Sequence, residues 1–308
     1  TASDSLLTVV AAFGANIVIA VAKTGAAMVT GSASLLAEAA HSWADAGNSV
    51  LLLVADHRSR RPADAAHPQG YGREAYVWAL LAAVGVFVAG AAVSITHGVH
   101  ELFDPAPAEG FGLGYAILAL AFLLEGAAFR QSVRQARREA AALDRDVVDH
   151  VVRTSDPTLR AVFAEDAAAL VGLVIAAAGL ALHQVTGSSA PDAVASILVG
   201  VLLAVVAVAL VEQNRRFLVG QEADPAVRAA VVDALLADPD VDRVTHLRLE
   251  YVGPRRLSVV ADVDLTGDDP ESQLAVRLRA LEERLAASPT VADAELGVSA
   301  PDAPALSR

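Results

Sequence analysis

The sequence predicts an α-helical membrane protein that ends in a small α+β domain, and two observations lead to this fold class. The 308 residues are 55% hydrophobic and have a mean hydropathy of +0.47, values that are too apolar for an ordinary soluble protein of this length. The apolar residues are concentrated in long segments before Gly220, whereas the rest of the chain shows short periodic pieces. We therefore expect the larger part of the chain to lie in a membrane.

Six segments are long and apolar enough to cross a bilayer, which takes roughly 20 residues of helix. They are residues 6–28, 34–55, 75–96, 111–129, 158–182 and 193–211. The first segment is longer than the apolar region of a signal peptide and lacks its flanks, so we expect it to remain as a helix. These segments predict a six-helix transmembrane domain over residues 1–219.

The distribution of arginine between the segments predicts their orientation. The loops after the second, fourth and sixth segments carry Arg, whereas the loops at 29–33, 97–110 and 183–192 contain no Lys or Arg. By the positive-inside rule, both termini are cytoplasmic. The alanine-rich, arginine-biased composition is compatible with a bacterial inner membrane. Neither a nucleic-acid partner nor an ATP-binding glycine loop is predicted.

Residues 220–300 predict a separate domain on the cytoplasmic side. Its elements are a helix over 225–236, strands over 243–251 and 255–265, a helix over 270–287 and a strand over 291–298. Asp224 and Asp269 each precede a proline and are expected to cap the two helices, while Gly253 lies in the turn of a β-hairpin. The αββαβ order predicts a ferredoxin-like sandwich, followed by a tail at 301–308.

Polar residues interrupt the second segment at helical spacing. Glu38, His41, Asp45 and Asn48 are separated by 3, 4 and 3 positions, so all four share one face of a helix. An ionisable group inside a membrane is costly, and it is usually retained for an ion path, a proton relay or a buried pair. This stripe therefore predicts a functional site within the membrane.

The fifth segment contributes two adjacent carboxyl groups, those of Glu165 and Asp166. Adjacent helical residues diverge by about 100°, so we expect only one of them to face the stripe. Imidazole and carboxylate groups suit Zn²⁺ and also Mn²⁺ or Fe²⁺, whereas the absence of cysteine argues against Cu(I). The candidate metal ligands are His41, Asp45 and Asp166, followed by Glu165, Glu38 and Asn48.

Three stretches of the chain resemble the cation diffusion facilitator transporters. They are TGSASLLAEAAHSWADAGNS at 30–49, HPQGYGREAYVWAL at 67–80 and DAVASILVGVLLA at 192–204, which look like the second, third and sixth transmembrane regions of that family. The middle stretch also resembles the branch with the animal transporter linked to mitochondrial zinc. The resemblance implies a homodimer that exports a divalent cation, foremost Zn²⁺, in exchange for protons (H⁺).

The same resemblance implies a tetrahedral site formed by two pairs of ligands, each pair four residues apart. His41 and Asp45 match the pair on the second helix. Asp166 matches one ligand on the fifth helix, but its partner position is Val162, which cannot bind a metal. Another candidate or water must then complete the shell, and a site richer in oxygen would tolerate Mn²⁺ or Fe²⁺ better.

Two histidines outside the membrane are expected to be structural. His246 is the single histidine after Gly220, so we expect an exposed strand residue and a domain that dimerises without metal. His67 stands beside Pro68 and Gly70, a context at least as typical of a turn as of a metal site in the loop.

Two other classes of function stay open at this point, although we predict that the chain is not an enzyme. An intramembrane metal-dependent hydrolase would need a general base near a polarised water, a role for which Glu165 is available. However, no HExxH pattern is present. A membrane scaffold without transport activity would account for Val162.

Overall fold

Ten α-helices and three β-strands follow one another along residues 2–105 and 110–306, the part of the chain that this computed structural model describes. The helices of the first part are α1 (Ala2–Thr30), α2 (Ala33–Ser59), α3 (Glu74–Ala82), α4 (Val88–Phe103), α5 (Phe111–Ala141), α6 (Val147–Arg153), α7 (Pro157–Thr186) and α8 (Ala190–Val219). The remaining elements are α9 (Pro225–Leu236), β1 (Val241–Gly253), β2 (Arg256–Leu265), α10 (Glu271–Ala286) and β3 (Val291–Val298). Residues 106–109 of the predicted loop at 97–110 and residues 307–308 of the predicted tail lie outside the described residues.

These elements confirm the predicted fold class, in which long helices precede a small αββαβ domain. A π-helical turn at Ala83–Phe87 joins α3 to α4, so that each of the six predicted spans coincides with one long helix. Among the described residues, four helices are long and apolar enough to cross a membrane: Glu74–Phe103, Phe111–Ala141, Pro157–Thr186 and Ala190–Val219. The helix α6 was not predicted from the sequence.

The chain folds into two compact units. One consists of Thr1–Ala55 and Val77–Asn214, and the other consists of Asp56–Tyr76 and Arg215–Arg308. The connection between α2 and α3 therefore belongs to the same unit as the sheet. The sequence did not predict this, because it placed all of residues 1–219 in one domain. The predicted boundary between residues 219 and 220 stays a prediction.

Small residues allow the helices of the first unit to pack closely. A Cβ atom at Gly98 would lie 2.7 Å from the carbonyl oxygen of Ala193, and one at Gly200 would lie 2.6 Å from Cγ1 of Ile95. Helices α4 and α8 thus approach at a distance that only glycine permits at these two positions. Such small residues are common where helices associate in lipid, because close contact replaces the hydrophobic effect as the driving force.

Three helices, α7, α9 and α10, follow an aspartate-proline pair, and they begin in different ways. Asp156 accepts hydrogen bonds from backbone N–H groups of the first turn of α7 at 3.0 and 3.2 Å, and Asp224 accepts one of 3.0 Å in α9. The predicted cap at Asp269 is wrong, because this carboxylate accepts a 2.5 Å bond from Nη1 of Arg277 instead. Helix α10 begins after Pro270 without a side-chain cap.

The strands form one sheet in the order β1-β2-β3. The pair β1 and β2 is the predicted antiparallel hairpin, with Arg255 in its turn at φ +57°. Strand β3 lies parallel to β2, since α10 carries the chain back across the sheet. Leu249, Val259 and Leu281 are buried between the sheet and its helices, which gives the ferredoxin-like sandwich its core.

The connection between α2 and α3 is attached to the hairpin of the second unit. Gly72 lies close to the backbone of Gly253. A Cβ atom added to Gly72 would lie 2.9 Å from the Cα atom of Gly253. The neighbouring Arg73 forms an ion pair with Glu250 of β1. Tyr76 is fully buried and stacks on Phe217 with ring centroids 5.0 Å apart. This connection is therefore an ordered part of the sheet-containing unit.

Candidate metal-binding site

The polar stripe of α2 lies inside the helical unit. The helix begins at Ala33, where Ser32 Oγ accepts a 3.2 Å hydrogen bond from the backbone N–H of Leu35. From this start, the helical period turns Glu38, His41 and Asn48 to the same buried side, where each is at most 1% exposed. Asp45 completes the stripe, with 14% of its side chain exposed.

Helix α7 brings one of its two adjacent carboxyl groups to this stripe. Glu165 is buried, and its Oε1 accepts a hydrogen bond from Nδ2 of Asn48. Asp166 is half-buried, about 100° further around the helix. The sequence predicted that the two neighbours would diverge, and the structure identifies Glu165 as the one bonded to α2.

Several nitrogen and oxygen atoms of the site have no hydrogen-bond partner among the described residues. Nε2 of His41 lies 3.3 Å from Oδ2 of Asp45, but the geometry is not that of a hydrogen bond, and Nδ1 of His41 is also unpartnered. The same holds for Oδ1 of Asp45 and Oδ2 of Asp166. Imidazole nitrogen and carboxyl oxygen atoms in this state are available to bind a cation or a proton.

The predicted ligands do not form a closed coordination shell. Within residues 2–105 and 110–306, no three His, Asp or Glu side chains are grouped so that they hold a metal ion together. His41 lies beside Asp45 on α2, whereas Asn48 donates a hydrogen bond to Glu165 on α7. The ligand assignment made from the sequence therefore stays a prediction.

Two further charged residues, on α1 and α5, belong to the surroundings of the site. Lys23 of α1 donates a 3.0 Å hydrogen bond to Oε2 of Glu38, and both side chains are 0% exposed. Glu125 of α5 is half-buried and acts electrostatically on Asp45 and Glu165. Their partners could not be predicted, because the pairs join different helices.

Val162 has apolar surroundings one helical turn before Asp166. It is half-buried and packs against a cluster that includes Leu52, Phe87 and Leu203. A valine suits this environment, so its presence at the position of an expected ligand is consistent with local packing.

His246 and His67, which we expected to be structural, lie on a strand and in a turn, respectively. His246 is exposed on β1 opposite Asp262. His67 belongs to a turn in which Asp64 accepts hydrogen bonds from the hydroxyl of Tyr71 at 2.7 Å and from the backbone N–H of His67 at 2.8 Å. These bonds, the Tyr71 bond first, lower the pKa of Asp64 to about 2. Asp64 is thus an acceptor that organises the turn.

The chain is similar to known transport proteins over most of its length. Residues 9–219 match the family model of the cation efflux transmembrane domain. The chain is 36% identical to a metal tolerance protein of Arabidopsis thaliana, covering 84% of this chain and 57% of the relative. It is 34% identical to the mitochondrial proton-coupled zinc antiporter of Homo sapiens, covering 77% of this chain and 42% of the relative.

A bacterial relative is more distant. The cation-efflux pump FieF of Salmonella typhi is 25% identical over 74% of this chain and 70% of the relative. The chain spans about half the length of the plant and animal relatives. The family model and these relatives describe cation transporters rather than enzymes, which removes the hydrolase alternative.

Proposed function

The chain belongs to the cation efflux family, the cation diffusion facilitators, and from this premise we propose that it exports Zn²⁺ from the cytoplasm in exchange for protons. The observation that carries the proposal is the set of buried, unpartnered atoms on His41 and Asp45. Buried polar atoms without partners are costly, and these are of the types that bind Zn²⁺. The human relative is a zinc antiporter, which supports the same cargo.

The proposed ligands are His41, Asp45 and Asp166, with Glu165 as the further candidate. Glu165 is chosen because its carboxyl group already reaches α2 through Asn48. Glu38 and Asn48 stay lower candidates, since Glu38 already accepts a hydrogen bond from Lys23 and the amide group of Asn48 already donates to Glu165. A cation that enters this site would draw the two halves of the shell together, because α2 and α7 each carry ligands.

Proton exchange follows from the chemistry of such ligands. Imidazole and carboxyl groups must be deprotonated to bind a metal, so metal and protons compete for the same atoms. Zn²⁺ that arrives from the cytoplasm would displace protons from His41 and Asp45. When the site opens to a more acidic side, protonation of the same groups would release the cation. His41 and Asp45 would therefore bind Zn²⁺ and protons alternately.

The proposal is tested by the uptake of zinc into proteoliposomes with an acidic lumen. We expect gradient-dependent zinc flux for the wild type and its loss in Asp45→Ala and Asp166→Ala. Asp56→Ala is the matched control, because this carboxylate lies on the same helix but pairs with Arg60 and is 54% exposed. Normal flux in Asp45→Ala would exclude the proposed site, and flux that ignores the pH gradient would exclude proton coupling.

A manganese arm of the same experiment addresses the cargo. The proposed donors are one nitrogen ligand and several carboxyl oxygens, a set that also accepts Mn²⁺ or Fe²⁺. Zinc flux above manganese flux supports Zn²⁺ as the substrate, and the reverse order would replace it. If the wild type inserts correctly but moves neither ion, the scaffold interpretation takes the place of transport.

We further propose that both termini are cytoplasmic, that the chain forms a homodimer through its carboxyl-terminal domain without metal, and that it lies in a bacterial inner membrane. The sequence contains no cysteine, so single substitutions are clean labelling sites. In intact cells, a membrane-impermeant maleimide should label Phe103→Cys and spare Arg61→Cys. The opposite pattern would reverse the orientation. The mass in detergent, measured by light scattering with and without chelator, tests the metal-free dimer.

A further inference from the structure

Four exposed arginines follow the apolar part of α5 and have no partner within the part of the chain that the structure describes. They are Arg130, Arg134, Arg137 and Arg138. None of them forms an ion pair, a hydrogen bond or a ring contact with another described residue. Glu139, the acidic residue of this stretch, is turned to α6, where its Oε2 lies 3.4 Å from Nε2 of His150. The four positive charges are thus not neutralised by the described chain.

Exposure alone does not account for this lack of partners. Arg60 is 76% exposed and still pairs with Asp56 at 2.7 Å, and the half-exposed Arg153 pairs with Asp149 at 2.6 Å. The positive-inside rule explains why arginine is common on this side of the membrane, but it does not explain why the arginines of α5 stand apart from carboxylates. Their partner must therefore be sought outside the described chain.

The arginines continue the lipid-facing stripe of α5. Leu123 is 70% exposed, and Ala127 one turn later is also exposed. From Leu123 through Ala127 and Arg130 to Arg134 the spacing is 4, 3 and 4 positions, so these side chains share one face of the helix. The opposite face, which includes Ala136, packs against α6 and α7. The face of α5 that meets lipid tails therefore ends in arginine.

The length of α5 places these arginines at the level of lipid headgroups. From Phe111 to Phe129 the helix rises by roughly 27–30 Å at 1.5 Å per residue, which matches a hydrocarbon core of about 30 Å. Arg130 then lies at the border of the core, and Arg134 lies about 6 Å further along the axis. The headgroup layer is about 5–8 Å thick, and the apolar stem of arginine lets its guanidinium group reach into that layer.

We propose that this arginine stripe, Arg130, Arg134, Arg137 and Arg138, binds the headgroups of anionic phospholipids in the adjacent leaflet. A guanidinium group is always ionised and binds phosphate oxygens through two parallel hydrogen bonds. Clusters of four or more basic residues beside a membrane helix attract anionic lipid. The inference goes beyond the proposed function, since it involves neither the transported ion nor the orientation of the chain.

The test measures which lipid lies beside the stripe in the full chain. The chain contains no cysteine, so Ala127→Cys carries a single bimane label on the lipid-facing side of α5. The labelled chain is reconstituted into phosphatidylcholine vesicles with brominated phosphatidylglycerol or brominated phosphatidylcholine, which quench the label on contact. We expect stronger quenching by phosphatidylglycerol. Leu113→Cys is 43% exposed at the other end of α5, so a label there reports the other leaflet and should show no such preference.

Substitutions in the labelled chain then identify the binding groups. Arg130→Gln/Arg134→Gln should lower the preference for phosphatidylglycerol by about fivefold for each arginine, the contribution of one basic residue near an anionic surface. Arg60→Gln/Arg153→Gln removes the same charge from arginines that already have partners and should leave the preference unchanged. Arg130→Lys/Arg134→Lys keeps the charge and should retain most of the preference.

Equal quenching by the two lipids in the labelled chain overturns the inference, as does a preference that survives in Arg130→Gln/Arg134→Gln. A loss of the same size in Arg60→Gln/Arg153→Gln or in the lysine variant would also overturn it. If neither lipid quenches the label, a second copy or another protein covers this face, and the inference is wrong. None of these results depends on zinc flux, so failure of this inference is distinguishable from failure of the proposed function.

Discussion

The hydrogen bond from Asn48 to Glu165 makes a specific prediction about how α2 and α7 are held together. Asn48→Ala removes the donor and leaves Oε1 of Glu165 buried without it, because Asn48 is 1% exposed and Glu165 is 7% exposed. Water therefore has little access to replace the hydrogen bond that Glu165 loses. We expect a loss of stability and a looser arrangement of the two helices that carry the proposed ligands.

The size of the effect follows from the environment of the bond. Hydrogen bonds between membrane helices contribute about 0.6 kcal/mol on average and about 1.7 kcal/mol at most. Hydrogen bonds to charged groups are stronger, at roughly 1.5–3 kcal/mol in proteins generally. Both side chains are buried and one is a carboxyl group, so we expect a coupling energy of about 1.5 kcal/mol, near the upper end of the membrane range.

A double-mutant cycle measures this coupling. The wild type, Asn48→Ala, Glu165→Ala and the double variant are unfolded reversibly in mixed micelles, and the non-additive part of the unfolding free energy gives the coupling energy. Ser49→Ala is the control, because its hydroxyl donates only to the carbonyl of Asp45 in its own helix, at 2.9 Å. A coupling energy indistinguishable from zero would refute the role assigned to this bond.

Three further predictions concern the sheet-containing unit. Gly72→Ala should increase protease cleavage between α2 and α3, because the new Cβ atom would overlap hairpin backbone; unchanged cleavage would contradict the packing. Arg243→Ala should speed hydrogen exchange at the backbone N–H of Leu306, since Arg243 binds carbonyl groups of the segment that carries it, and an equally protected amide would count against this clamp. Tyr71→Phe should raise the pKa of Asp64 from about 2 towards the ordinary value of about 3.9, as followed by carboxyl ¹³C shifts. Because this pKa is depressed in the folded chain, the stabilising effect of Asp64 is present above pH about 4 and is lost as the pH falls through about 2.

The local features of the fold were predictable because their causes lie within a few residues of sequence. The apolar lengths predicted the long helices, and the spacing of the α2 stripe predicted one buried polar face. Asp224 was identified as a cap, since a cap needs only the N–H groups of the following turn. Asp269 is not a cap because its carboxylate accepts a hydrogen bond from Arg277, eight residues later. The Asp-Pro capping pattern carries no information about such a partner.

The chemical character of the site was also present in the sequence. One imidazole and several carboxyl groups inside an apolar segment predicted a cation site, and the absence of cysteine excluded thiolate ligands. The stretches at 30–49, 67–80 and 192–204 carried the resemblance to the transporter family, which the comparisons confirm.

The tertiary structure alone decided which of these groups meet. Asn48 and Glu165 are 117 positions apart, and the rotation of α7 determines that Glu165, not Asp166, bonds to α2. The attachment of the α2–α3 connection to the hairpin depends on Gly72 meeting Gly253. Such contacts are set by how helices and strands pack against one another, whereas helical period and capping are set by the backbone within one or two turns. For that reason the sequence determined the elements and the donor atoms, and packing determined their partners.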